Sequence, residues 1–160
     1  MGIEIERKFL VRNDLWKTEA GEGIRFRQGY LSSGGSCSVR VRREGDHANL
    51  NIKSARLGIL RQEFEYPIPA DEANELLDLF CPHTVSKKRY KIDYAGKTWE
   101  IDVFEEDNSG LVVAEIELDS SDEQFELPPW AGDEVSLQAR YYNTELARHP
   151  FNKWQDQPDR

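Results

Sequence analysis

Ile3-Glu4-Ile5-Glu6-Arg7-Lys8-Phe9-Leu10-Val11 is the stretch on which the fold turns. Successive side chains of an extended chain point to opposite faces, so Glu4, Glu6 and Lys8 share one face while Ile3, Ile5 and Phe9 share the other. The same period of two returns in seven further segments, at about 23–31, 36–44, 48–55, 60–68, 85–94, 97–105 and 111–119. Such alternation marks half-buried strands. Turn-forming residues at Ser33-Gly34-Gly35, Glu44-Gly45-Asp46, Ala95-Gly96-Lys97 and Asp107-Asn108-Ser109-Gly110 separate several of these runs and favour antiparallel hairpins. One helix is expected where Ala73, Leu76, Leu77 and Phe80 form an apolar stripe, with Asp71 as its cap and Pro82 as its stop. A second helical stretch is expected over about 133–148, and a short helical turn around 14–17. The expected class is mainly β (α+β).

The charged faces carry the chemistry. In chain order they present Glu4, Glu6 and Lys8, then Arg25 and Arg27, Arg40 and Arg42, and Lys53. Glu63 and Glu65, Lys87 and Arg89, Glu100 and Asp102, and Glu115 and Glu117 follow, each pair two residues apart. The opposite face is apolar on most strands and includes Ile24, Phe26, Val41, Ile52, Ile101 and Ile116. One such strand needs no explanation beyond a sheet with one wet face. Eight acids and eight bases aligned mostly in like-signed pairs do need one, because neighbouring like charges repel unless a ligand or counter-ion offsets them. A metal polyphosphate satisfies both halves: Arg offers a planar fork of donors to phosphate oxygens, Lys adds a compact charge, and Mg²⁺ or Mn²⁺ prefers carboxylate oxygen and water. Closing eight strands into a barrel removes their edges and leaves room for one small ligand. Its apolar outside then has to be covered by helices, by long loops or by a second subunit.

Composition narrows the alternatives. The 160 residues, 38% of them apolar, suit one globular domain over 1–160. No run approaches the roughly 18 apolar residues of a membrane span, and the opening residues do not resemble a secretory signal, so a cytoplasmic protein without a membrane partner is expected. The net charge of -9 opposes nonspecific nucleic-acid binding. Cys37 and Cys81 make no disulfide framework, His47, His83 and His149 lack ligand spacing, and the four tryptophans read as packing residues. No Ser/His/Asp arrangement, phosphate-binding glycine loop or dinucleotide fingerprint appears.

Glu4-Ile5-Glu6-Arg7-Lys8 matches the ExExK signature of the CYTH superfamily, the triphosphate tunnel metalloenzymes. It is followed in order by Arg40-Val41-Arg42, Asn51-Ile52-Lys53, Glu63-Phe64-Glu65, Lys87-Lys88-Arg89, Glu100-Ile101-Asp102 and Glu115-Ile116-Glu117. With Arg140-Tyr141-Tyr142-Asn143 and Leu146-Ala147, the chain resembles the small bacterial members. The resemblance implies a closed eight-stranded antiparallel tunnel with a few covering helices. It implies Glu4, Glu6, Glu115 and Glu117 as ligands of Mg²⁺ or Mn²⁺, with Asp102 a further candidate. Lys8, Arg40, Arg42, Lys53, Lys87 and Arg89 would hold phosphate oxygens, Arg25 and Arg27 would join them by alternation, and Glu63, Glu65 and Glu100 would support the site.

The expected activity is metal-dependent hydrolysis of inorganic triphosphate to diphosphate and phosphate, with Lys8 or Lys53 as general base if neighbouring cations depress its pKa. The alternatives are a nucleoside or thiamine triphosphatase, a class IV-type adenylate cyclase, a noncatalytic sensor of polyphosphate or nucleotide, and a β-sandwich whose charged faces are merely wet. The protein is expected as a monomer or homodimer.

Overall fold

The computed structural model describes residues 2–159. The eight alternating segments form β1 (Gly2–Val11), β2 (Ile24–Ser32), β3 (Cys37–Glu44), β4 (His47–Ser54), β5 (Leu60–Ile68), β6 (Thr84–Tyr94), β7 (Lys97–Phe104) and β8 (Val112–Glu117), and a ninth strand, β9 (Ala131–Glu134), joins them. The order is β5-β4-β3-β2-β6-β7-β8-β1, and β1 pairs back onto β5, so eight antiparallel strands close a ring. Closure depends on how β1 divides its length. Gly2 to Ile5 pair with β5, Glu6 to Leu10 pair with β8 on the other side, and Phe9 and Val11 pair with β9 along the edge that β5 has left. The two-residue turns between β3 and β4 and between β6 and β7 place Gly45 at φ 58° and Ala95 and Gly96 at φ 48° and 79°, which matches the twist of the flanking strands.

Helix α1 (Ala70–Phe80) lies outside the ring, where Ala73 and Leu77 are buried against Val41 and Ala48. Its N-cap is Pro69, not Asp71. Asp71 instead sits inside the first turn, where its Oδ1 accepts a hydrogen bond from the Glu72 amide at 3.0 Å and its charge suits the helix N-terminus. The region 133–148 is not one helix. Asp133 and Glu134 belong to β9, a 3₁₀ turn follows at Ala139–Tyr141, and α2 spans only Asn143–Arg148. The free edge of β1 draws this segment into the sheet: the Val135 amide donates to the Lys8 carbonyl at 2.8 Å, and Arg7 Nε donates to Glu134 at 2.9 Å. The short helical turn expected near 14–17 is a 3₁₀ turn at Leu15–Thr18.

Long connections cover the outside of β1, β7 and β8. Trp16 from the β1–β2 connection and Phe125 and Trp130 from the β8–β9 connection pack with Phe9, Trp99 and Ile116, and Trp130 meets Trp99 edge-on at 5.5 Å. A second apolar cluster joins Leu10, Val85, Phe104 and Val113 to Tyr141, Leu146, Phe151 and Trp154 of the C-terminal segment. Those four strand residues face inward, so this cluster plugs part of one end of the ring. Among the described residues no helix is long and apolar enough to cross a membrane.

Candidate active site

Strand register determines which side chains meet, since directly opposed residues share a face. Lys8 stands beside Glu115, Glu115 beside Glu100, Glu6 beside Glu117, and Arg89 beside Asp102. Across the other half of the ring Arg40 stands beside Asn51, Asn51 beside Glu65, and Lys53 beside Glu63. The charged faces of seven strands therefore point into one interior. Strand β2 is the exception: Phe26 lies beside Lys87 and Glu44, Gln28 beside Arg42, and Tyr30 beside Arg40. Its uncharged face looks inward, which corrects the assignment of Ile24 and Phe26 to the outer apolar face. Arg25 and Arg27 point outward, where they reach Glu105 at 3.3 Å and Asp78 of α1 at 3.0 Å. They are removed from the substrate-binding set. Their alternation is real, but alternation alone does not say which of two faces the ring encloses.

The interior consists of two connected chambers. The outer one, about 220 Å³, is bordered by the cations Arg42, Lys87, Arg89 and Lys91 and by Phe26. Its carboxylates are Glu4, Glu44, Glu63, Glu65, Glu100, Glu115 and Glu117. The inner one is about 30 Å³ and is lined by Lys8, Tyr30, Ser38, Arg61, Tyr142 and Thr144. Glu6, Arg40, Lys53 and Asn143 line both.

On the β6–β7 side the cations are clasped. The Asp102 carboxylate is fully buried; its Oδ2 accepts hydrogen bonds from Lys87 Nζ at 2.7 Å and Arg89 Nη2 at 2.8 Å, and its Oδ1 accepts one from Arg89 Nε at 2.7 Å. Both oxygens are committed to cations, and Asp102 borders neither chamber. Asp102 is therefore corrected from candidate metal ligand to the anchor of the Lys87 and Arg89 side chains. Arg89 also reaches Glu100 at 2.9 Å and Glu115 at 3.5 Å. Burial works against its charge, yet Asp102 and Glu115 outweigh burial and hold the guanidinium pKa well above its ordinary value. Burial, reinforced by Arg89 and opposed by Asp102, pushes Lys87 down to about 8.

On the β1–β8 side carboxyls crowd together. Burial, then the Glu115 and Glu4 carboxylates, push Glu6 up to about 8, and Glu6 shares a hydrogen bond with Glu4. A proton held there neutralises a charge that a bound cation would otherwise neutralise. Burial also raises Glu117 and Glu100, with neighbouring carboxylates adding to it. Glu115 goes the other way, because Lys8, at 3.4 Å, and Arg89 outweigh burial and hold it below the usual carboxylate range. Among the described residues no three acidic, His or Cys side chains are gathered into a ready metal-binding group. Lys53 instead pairs with Glu4 at 3.0 Å. The donor set is all carboxylate oxygen, which fits a hard divalent cation and not a thiophilic one.

Several interior residues were given no role at the site from the sequence. Asn51, with no exposure, donates to Glu65 at 2.7 Å and accepts from Arg40 at 3.4 Å; it stands two before Lys53, so the same period of two points to it. Phe26 has the guanidinium carbons of Arg89 and Arg42 at 4.9 and 5.3 Å and Lys87 Nζ at 5.8 Å from its ring centre. Asn143, which approaches Lys87 at 3.4 Å, comes from a segment with no strand pattern to place it.

The CYTH domain pattern matches residues 2–149. The inorganic triphosphatase of Acetivibrio thermocellus is 44% identical over 157 residues, covering 98% of this chain and 100% of the relative. That of Nitrosomonas europaea is 35% identical over 152 residues, covering 90% and 96%. The crystal structure of the inorganic triphosphatase NE1496 superposes with a TM-score of 0.66 at 35% identity, covering 92% of this chain and 95% of that one. The strands that carry this likeness are the strands that wall the two chambers, so fold and site agree, and the chain belongs to the CYTH domain family.

Proposed function

We propose that the chain hydrolyses inorganic triphosphate to diphosphate and orthophosphate inside the two chambers. The observation that carries this reading is the interior itself: a small closed space in which Arg40, Arg42, Lys53, Lys87 and Arg89 face a set of crowded carboxyls. The wall is mostly charged, and the one apolar ring among the described residues of the outer chamber, Phe26, is already covered by Arg42, Lys87 and Arg89, which favours the inorganic substrate over ATP or thiamine triphosphate. The full-length relatives at 44% and 35% identity are named for that activity.

The family implies a divalent metal, and we assign it to Mg²⁺ or Mn²⁺ held by Glu4, Glu6, Glu115 and Glu117. Such an ion supplies Lewis-acid polarisation of phosphate oxygens. The chain's own residues do the rest. Arg42 and Arg89 present donor forks to the phosphate oxygens while Lys53 and Lys87 add point charges, so positioning and charge neutralisation supply most of the rate. Glu100 holds Arg89, while Glu63 and Glu65 hold Lys53, Asn51 and Arg42. We assign removal of the proton from the attacking water to Lys8 or Lys53, both of which line the inner chamber. We read residues 1–160 as one functional unit working in the cytoplasm, where the free thiols of Cys37 and Cys81 stay reduced.

The test is phosphate release from inorganic triphosphate, ATP and thiamine triphosphate in parallel, with Mg²⁺, Mn²⁺ or chelator. Metal-dependent turnover of triphosphate far above the other two, lost in Glu4→Ala/Glu6→Ala, is expected. Saturable binding without release from any substrate would turn the reading to a sensor. Full turnover in Lys53→Ala would exclude Lys53 as the base.

A further inference from the structure

Asn51 of β4 is fully buried and borders neither chamber, yet it joins a cation to the carboxylates beside it. Its Oδ1 accepts from Arg40 Nε at 3.4 Å, while its Nδ2 donates to Glu65 Oε2 at 2.7 Å and to Glu63 Oε1 at 3.4 Å. Register brings this about, since Arg40 and Glu65 are its direct neighbours on β3 and β5. A side chain in this place has to accept from a guanidinium and donate to a carboxylate at once, and an amide does so with separate atoms. Turning the amide over would set its carbonyl against the Glu65 carboxylate, so the partners fix its orientation.

Asp102 also borders neither chamber and also joins two neighbours, but as a carboxylate it gives Lys87 and Arg89 a counter-charge. Asn51 gives Arg40 an acceptor and no charge. Arg40 is 7% exposed, makes no ion pair among the described residues, and keeps a buried Nη2 without a hydrogen-bond partner. The Tyr30 hydroxyl, its other polar neighbour, is likewise uncharged. An ionised aspartate at position 51 would offset the Arg40 charge and would press against Glu65 with no donor between them.

We infer that Asn51 is a positioning residue for the proposed hydrolysis. From behind the wall its amide fixes Arg40 of β3 against Glu65 of β5 and leaves the Arg40 charge uncompensated, so that triphosphate meets a cation that is aimed but not already paired. Arg42 and Lys53 are held by the same arrangement, because Glu65 reaches Arg42 at 3.7 Å and Glu63 reaches Lys53 at 3.8 Å. The inference rests on the triphosphate reading, and Asn51 acts in it only through Arg40 and the two carboxylates.

Asn51→Asp tests it, because pH then sets the charge at position 51. Protonated, the aspartate carries one donor and one acceptor and replaces the amide; ionised, it has no donor and adds a charge. Arg40 and Arg42 of β3 and Lys53 of its own strand favour the ionised form, while Glu63 and Glu65 of β5 favour the protonated one. Calorimetric titration of the chelator-treated protein with inorganic triphosphate, at about pH 5 and about pH 8, gives the ratio of variant to wild-type Kd at each pH, which removes the titration of the ligand itself. A ratio within about threefold at the lower pH and above about tenfold at the higher is expected. Asn51→Leu keeps the bulk without a polar atom and is expected to bind about three- to tenfold more weakly, by the same ratio at both pH values. In metal-dependent turnover at the higher pH, both variants are expected to move KM more than kcat. An Asn51→Asp ratio that does not change with pH would make Asn51 a packing residue and overturn the inference. So would an Asn51→Leu ratio below about twofold, which decides alone should thermal melts show Asn51→Asp unfolded. Wild-type protein that binds triphosphate without releasing phosphate would instead overturn the proposed activity and leave these titrations interpretable.

Discussion

The two sides of the interior treat buried positive charge in opposite ways. Along β6 and β7, Lys87 and Arg89 are held in place by Asp102, with Glu100 and Glu115 added for Arg89, while both still border the outer chamber. On β3 and β5, Arg40 and Arg61 make no ion pair among the described residues, and Arg40 keeps a buried Nη2 without a hydrogen-bond partner. A cation paired by the protein is fixed in position, and its loss leaves its partner stranded. A buried cation left short costs stability unless an anion completes it.

The largest effect that would break this contrast is on the clasped side. Asp102→Asn removes the carboxylate that Lys87 pairs with and leaves Arg89 only Glu100 and Glu115, and is expected to cost about 3–5 kcal/mol of stability in denaturant unfolding. A loss below about 1 kcal/mol would mean that the clasp does not hold this wall.

The acid wall gives the next. With its folded pKa raised to about 8 from an ordinary 4.5, Glu6 binds more protons folded than unfolded between those values. Its contribution is therefore complete below about pH 4.5 and is lost as pH rises through 8, up to about 5 kcal/mol in the metal-free protein. Glu6→Gln is expected to flatten that slope, and an unchanged slope in thermal melts across pH 5–9 would remove Glu6 as its source.

Arg40→Met should separate stability from function. Removing a buried, underpaired charge is expected to leave stability unchanged or to raise it by about 1 kcal/mol, while KM for triphosphate rises about 10- to 100-fold through loss of charge-assisted hydrogen bonds. A stability loss like that of Asp102→Asn would erase the distinction between the two sides.

Phe26 joins the sides, because its ring lies near cations from both β3 and β6. Phe26→Leu keeps the bulk but removes the ring's negative face. A rise of about 5- to 10-fold in KM with little change in kcat is expected, recovered in Phe26→Tyr. Equal loss in kcat and KM-independent inactivation would make Phe26 a packing residue only.

Much of this molecule was legible along the chain because a strand's alternation is local. The period of two from Ile3 to Leu118 located all eight strands of the ring, and the like-signed pairs marked their charged faces before any partner strand was known. The hairpin turns at Gly45 and Gly96 were legible for the same reason, since a backbone with positive φ selects glycine locally. The helix signal at Asp133 was misleading because helix propensity is a weak prior, and the unpaired edge of β1 overrode it.

The sequence by itself determined which side chains share a face, and that the faces hold more like charge than a wet sheet requires. Only the tertiary structure decided which face of each strand the ring encloses. That choice rests on closure, which turned Phe26 inward and Arg25 and Arg27 outward although their segment alternates like the others. It also decided that Asp102 is consumed by Lys87 and Arg89 while Arg40 goes short. Ion pairing depends on strands far apart in sequence coming into register, and no spacing within one strand records it.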